Sequence, residues 1–183
     1  GVGYILDRNV VARMGQIMRL SGQAPTDFVA LAGFGPALVN MSLTGTIGLA
    51  YVLLVGGDLN GPVIGAIFCI VGFSAYGKHP RNIVPIMIGV VLGSLVKPWS
   101  AADASGLLAA LFGTTLAPIA GRFGWHWGLV AGFLHSSAAR SVGPVHAGLN
   151  LYNNGFAAGI VAAVLTAVII AVQAKRGEPP RDE

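Results

Sequence analysis

An all-α fold embedded in a membrane is predicted by three observations on this sequence. Hydrophobic residues make up 54% of the chain and charged residues 10%, with a mean hydropathy of +0.72, whereas soluble domains carry about 25% charge. The charges leave long uncharged runs, from Phe28 to Gly57, Leu59 to Gly77, Asn82 to Val96, Ala104 to Gly121, Phe123 to Ala139 and Ser141 to Ala174. Glycine and proline, 27 and 10 residues, recur inside those runs, so some of the helices are expected to be broken. A membrane-spanning helix needs about 20 mostly apolar residues. The expectation is therefore a polytopic protein with about six hydrophobic segments, at least one of them broken or re-entrant. Asn82 to Val96 and Phe123 to Ala139 are short enough to be tilted or re-entrant.

Residues 1–25 read as an amphipathic helix and linker. Leu6, Val10, Met14, Ile17 and Met18 recur at helical spacing, with Asp7, Arg8, Arg13, Gln16 and Arg19 mostly elsewhere on the wheel. Such a helix lies in the membrane interface or ends a linker from an upstream half. Ser21 to Pro25 stops it, and Thr26 or Asp27 is placed to cap the next helix. Residues 26–176 form the transmembrane domain. Its first run contains Gly33, Gly35, Pro36 and Asn40, which suggests a half-helix ending near Pro36 and a span from about Met41 to Val55. Residues 177–183, with Pro179-Pro180, read as a disordered tail.

Basic residues gather at the ends of apolar runs and read as topology signals rather than a nucleic-acid surface. That rule puts Arg8, Arg13 and Arg19 inside, Asp58 outside, Lys78 and Arg81 inside, Lys97 and Asp103 outside, and Arg122 inside. If Phe123 to Ala139 crosses, Arg140 approaches the outer side and Lys175-Arg176 returns inside. If it is re-entrant, the C-terminus lies outside. The first topology obeys the rule better. Trp99, Trp125 and Trp127 fall at its interfaces, where tryptophan is enriched.

Between Phe123 and Ala174 the single formal charge is Arg140. Around it His135, Ser136, Ser137, Ser141, His146, Asn150, Tyr152, Asn153 and Asn154 supply donors and acceptors, while Gly143, Pro144, Gly148 and Gly155 oppose regular helix. An arginine at the bilayer centre costs about 2.5 to 3.5 kcal/mol on insertion scales and faces a cavity or a partner. Arg140 is accordingly expected to point into a polar cavity with His135, His146 or an Asn150 to Asn154 side chain; the competing reading is an ordinary extramembrane loop. Three asparagines and a glycine between Asn150 and Gly155 favour a helix start or interruption there. Asn40 to Gly45 followed by Gly48 echoes Asn150 to Gly155 followed by Gly159, which is either an inverted repeat of broken helices or chance among many glycines.

Other patterns carry less. Gly72 to Gly77 followed by Lys78-His79 nearly matches a phosphate-binding loop, but His79 stands where a magnesium-binding Ser or Thr is required. Lys78, His79 and Arg81 form a basic turn, read either as a topology anchor or as an anion-attracting vestibule. His126, His135 and His146 lack the spacing of a metal or haem site, so no metal and no cofactor are expected. The lone Cys69 excludes an intrachain disulfide. Neither a metalloprotease helix nor a serine-hydrolase elbow is present, and no acid lies between Ala104 and Gly177, so an enzyme is not expected.

At Gly77-Lys-His-Pro-Arg-Asn-Ile-Val-Pro-Ile-Met-Ile-Gly89, and more specifically at His146-Ala-Gly-Leu-Asn-Leu-Tyr-Asn-Asn-Gly-Phe156, the chain resembles a bacterial family of polytopic membrane proteins known as a domain of unknown function. The resemblance covers most of Phe28 to Ala174 and looks like the C-terminal half of a longer member, so an N-terminal half is expected to be missing. It implies a multi-pass protein of the bacterial inner membrane and no chemistry. The Asn-Gly-rich helix starts resemble, in pattern only, those of urea-transporter-like channels.

The expected function is a channel or secondary transporter for a small polar or anionic solute. Arg140 is its charged element, and His135, Ser136, His146, Asn150, Asn153, Asn154 and Asn40 line the path. The alternative is an accessory or scaffold subunit whose glycine-rich helices pack on partners. Expected partners are the bilayer and further copies or other membrane subunits, not nucleic acid. With Cys69 replaced, cysteines placed at Arg81 and Arg176 should both be labelled from the cytoplasmic side only; labelling from opposite sides identifies Phe123 to Ala139 as re-entrant.

Overall fold

The structure, a computed structural model, describes residues 9–23, 26–146 and 150–177, with the side chains of 145–151 excepted. The described residues are helical, with no strand among them. In chain order the helices are α1 (Val10–Ile17), α2 (Phe28–Ala32), α3 (Phe34–Leu54), α4 (Gly61–Phe73), α5 (Pro80–Val96), α6 (Ala104–Gly113), α7 (Ala117–Phe123), α8 (Trp125–Ser141) and α9 (Asn150–Lys175). Short 3₁₀ turns, Thr114–Leu116 and Gly143–His146, join α6 to α7 and follow α8.

The boundaries reflect local chemistry. Asp27 caps α2 by accepting from the amides of Val29 and Ala30 at 2.8 and 3.1 Å. Asn60 does the same for α4 through Val63 at 3.1 Å, with Pro62 in the first turn. Gly33 and Gly124, at φ 93° and 107°, make the sharp joints between α2 and α3 and between α7 and α8, a backbone region open chiefly to glycine. The break expected near Pro36 therefore falls at Gly33. Pro36 sits inside the first turn of α3, where an amide has no partner to lose, and α3 runs unbroken through Asn40 to Leu54. At the other site the expectation holds, since α9 starts at Asn150. Asn40 is interior to its helix and Asn150 opens one, so the two echoing segments occupy different helical positions.

Among the described residues three helical stretches are long and apolar enough to cross a membrane: Phe34–Leu54, Ala104–Phe123 and Tyr152–Lys175. The first and last keep only 33% and 28% of their most apolar windows buried within the protein. Ile160, Val164, Val168 and Ile170 stand exposed on α9, as a lipid-facing surface requires. Helices α4 and α5 are apolar but shorter, so among the described residues three stretches are long enough to cross where about six hydrophobic segments were expected.

The tightest packing joins α5 to α8. A Cβ on Gly89 would overlap the Leu129 carbonyl oxygen, one on Gly132 the Ile86 carbonyl oxygen, and one on Gly93 the Ser136 hydroxyl. On the N-terminal side of these contacts, Gly128 abuts Pro85. Residue numbers rise together along the contact, so α5 and α8 run parallel, and α6 with α7 makes the return pass between them. This is the small-residue packing that lets membrane helices approach closely. It also carries α8 alongside α5 from Gly128 to Ser136. One end of the bundle gathers α1, the Ser74 to His79 turn and the α7–α8 joint. There Gly22, at φ 78°, and Gly77, at φ 111°, meet backbone to backbone, and Gly121 abuts the Ser21 carbonyl. The opposite end gathers the Gly57, Lys97 to Asp103 and Ser141 to His146 segments.

Gly132→Ala should lower the thermal midpoint in detergent, since overpacking a close contact costs about 1 to 3 kcal/mol. Gly159→Ala on α9, where an added Cβ meets nothing within 4 Å, should leave it unchanged or raise it. Equal midpoints for both variants would contradict the α5–α8 contact.

Candidate functional site

Two polar groupings emerge, and they divide the residues singled out in the sequence. The first lies at the end of the bundle where α5 and α8 finish and α6 begins. Arg140, in the last turn of α8, donates from Nη2 to both carboxylate oxygens of Asp103, at 2.5 and 2.6 Å. Asp103 also caps α6, accepting from the Gly106 amide at 2.6 Å. Each charge thus sits at the helix end whose dipole favours it. Burial raises the Asp103 pKa, but the Arg140 hydrogen bond and the Gly106 amide outweigh it and hold the carboxyl below its ordinary value. The Arg140 guanidinium lies 4.9 Å from the Trp99 ring centre, and Lys97 Nζ lies 5.4 Å from the same ring. Lys97 donates to the Phe133 carbonyl at 2.8 Å and to Ser136 Oγ at 2.9 Å.

Arg140 thus has a partner that sequence reasoning did not give it. The expected grouping was with His135, His146 or Asn150 to Asn154; the observed one is with Asp103, 37 residues earlier. Arg140 and Ser136 are one turn apart and share the α8 face toward Lys97, whereas His135 turns toward α9. The side chains of His146 and Asn150 lie outside the described residues.

The second grouping is a buried polar seam through the bundle. Asn40 on α3, fully buried, donates to the carbonyls of Ser74 and Lys78, both at 2.7 Å. Lys78, itself buried, extends its ammonium to Thr114 Oγ1 at 2.8 Å. Thr114 opens the 3₁₀ turn that interrupts the α6–α7 stretch, about 16 Å along the axis from Asp103, which is roughly half the thickness of a hydrocarbon core. The preceding residue, Gly113, has no side chain because the His135 ring occupies that space, 2.8 Å from where its Cβ would stand. His135, fully buried, meets Asn154 Oδ1 through Nε2 at 3.1 Å. Asn153 is buried beside it on α9. The seam joins α3, the Lys78 turn, the α6–α7 break, α8 and α9.

The seam is incompletely satisfied. Asn40 Oδ1, His135 Nδ1 and Asn153 Oδ1 are buried without a hydrogen-bond partner among the described residues. With the Nε2 proton pointed at Asn154, all three are acceptors. An unmet buried polar atom costs about 1 to 3 kcal/mol, and each of these three would be satisfied by an N–H or O–H donor.

The remaining vestibule residues part company. His79 turns inward, its Nε2 donating to the Leu20 carbonyl at 2.9 Å, while its backbone amide donates to Asn82 Oδ1 at 2.9 Å. Burial keeps its pKa below the ordinary histidine value. Arg81 faces outward. Thr114, Lys97, Trp99 and Asp103 are the residues that sequence reasoning passed over as site members; an aromatic between two charges at Lys97-Pro98-Trp99 to Asp103 was the available signal.

The family model described as Protein of unknown function (DUF1576) matches residues 6–171. The chain belongs to that family. No curated protein and no solved structure matches it.

The Asp103–Arg140 pair makes a pH prediction. A carboxyl depressed in the fold contributes stability above its unfolded pKa, and loses it as pH falls through the folded value. The side chains are 39% and 24% exposed, so the pair is expected to contribute no more than about 1 kcal/mol. Asp103→Asn should lower the thermal midpoint modestly at pH 7 and reduce the loss of stability on acidification to about pH 3. An unchanged acid dependence would contradict the pairing.

Proposed function

We propose that this chain is a multi-pass inner-membrane channel or secondary transporter for a small polar solute, with the seam Asn40, Lys78, Thr114, His135, Asn153 and Asn154 as its path. The observation that carries the reading is the set of buried acceptors left unmet inside an apolar bundle, next to a helix interrupted at mid-height. In lipid, irregular backbone is tolerated where it is buried in protein or lines a water-filled cavity, and intramembrane ionisable groups mark pathways. Unmet acceptors favour a solute that donates N–H or O–H groups. The Lys78 ammonium supplies the complementary donor, so an uncharged polar solute with both kinds of group suits the seam better than a simple anion. Arg140 is then a rim residue that ties α8 to the α6 cap, outside the path. The basic end of the bundle is assigned to the cytoplasm by charge bias.

A second reading, an accessory subunit, draws support from the exposed apolar faces of α3 and α9, which fit helices of a partner as well as lipid. Uptake into proteoliposomes across a panel of small amides, polyols and anions separates the two. Transport predicts flux of a donor-bearing neutral solute that falls at least about tenfold in His135→Ala and Asn154→Leu and persists in Arg140→Gln. Absence of flux for the whole panel from folded protein, with other subunits co-purifying, would favour the accessory reading.

A further inference from the structure

At the basic end of the bundle, a cavity of about 200 Å³ lies between the end of α1, the start of α5 and the α7–α8 joint. Arg19 and Arg81 line it, with His79, Asn82 and Trp125. Both arginines are exposed cations, and among the described residues no carboxylate pairs with either. Asp27, at the same end, is committed to capping α2. The cavity has an apolar continuation. A groove of about 470 Å³ shares Met18, Arg81 and Trp125 with it and runs along α5 and α8 past Val84, Ile88 and Leu129. From Pro80 to Ile88 that path is about 12 Å along the helix axis toward mid-bundle. Trp125, 65% exposed, stands where the two meet, the position tryptophan takes at the boundary of headgroups and acyl chains.

A cationic cavity opening into an apolar groove has the shape and polarity of one chemical class. We propose that this site binds an anionic phospholipid, its headgroup phosphate between Arg19 and Arg81 and one acyl chain along the Val84–Ile88–Leu129 groove. Arginine forks suit phosphate oxygens, and basic pockets between helices on the cytoplasmic side hold anionic headgroups. The groove is what distinguishes lipid from free phosphate, which would use the cavity alone. Because α1, α5 and α8 all contribute, a bound lipid would pin the amphipathic N-terminal helix to the bundle.

The test is native mass spectrometry of the purified protein titrated with phosphatidylglycerol, phosphatidylcholine of the same chains, and inorganic phosphate. The expected result is preferential retention of phosphatidylglycerol and no comparable retention of phosphate. The double variant Arg19→Gln with Arg81→Gln should bind phosphatidylglycerol roughly thirtyfold more weakly, from about 1 kcal/mol per arginine. Leu129→Trp, which fills the groove and leaves both arginines, should weaken the lipid as well. Equal retention of the two lipids, or wild-type affinity in the double variant, would overturn the proposal. Phosphate binding that matches phosphatidylglycerol and is untouched by Leu129→Trp would overturn the lipid assignment in favour of a simple anion site.

Discussion

The close parallel contact of α5 with α8 is the constraint on which the rest of the bundle depends. Gly89 and Gly93 on one helix, Gly128 and Gly132 on the other, bring backbone against side chain and backbone against backbone, an approach that any larger residue would prevent. Lipid offers no hydrophobic drive for helix association, so shape and polar contacts set which helices pair. Parallel neighbours require an intervening pass, and α6 with α7 supplies it. That pass brings Asp103 under Arg140 at one end, and Thr114 and Gly113 to Lys78 and His135 near the middle.

Mid-bundle polarity arises from this packing. His135 is held where Gly113 leaves room, and Ser136, on the next position of α8, faces Gly93 and Lys97. The same helix therefore presents one polar residue to α9 and another to α5 without exposing either to lipid. The 3₁₀ turn at Thr114 coincides with both contacts. Its hydroxyl accepts from Lys78 and donates to the Leu111 carbonyl at 2.6 Å, satisfying backbone that the change of helical pitch would otherwise strand.

Composition and charge spacing made the helical, membrane-directed character legible, because long apolar runs have few other uses. The start of α9 at Asn150 was legible, since asparagine and glycine disfavour a helix interior, and so was the capping role of Asp27, whose carboxylate accepts from the amides of Val29 and Ala30. The Pro36 break was misplaced because proline is harmless in a first turn and Gly33 carries the positive φ. The partner of Arg140 was illegible for a different reason. Asp103 lies 37 residues away in sequence, and only the α5–α8 register brings the two ends together. His135 and Ser136 looked like one polar island in the sequence; helical geometry sends adjacent residues to different neighbours. The Lys78–Thr114 contact likewise depends on tertiary packing alone.

The proposed path through His135 requires α8 to cross the membrane alongside α5. With Cys69 replaced, single cysteines at His126 and Ser141, both exposed and at opposite ends of α8, should react with an impermeant maleimide from opposite faces of sealed vesicles. Reaction of both from one face would mean that α8 turns back within the membrane, and the seam built on His135 would lose its frame.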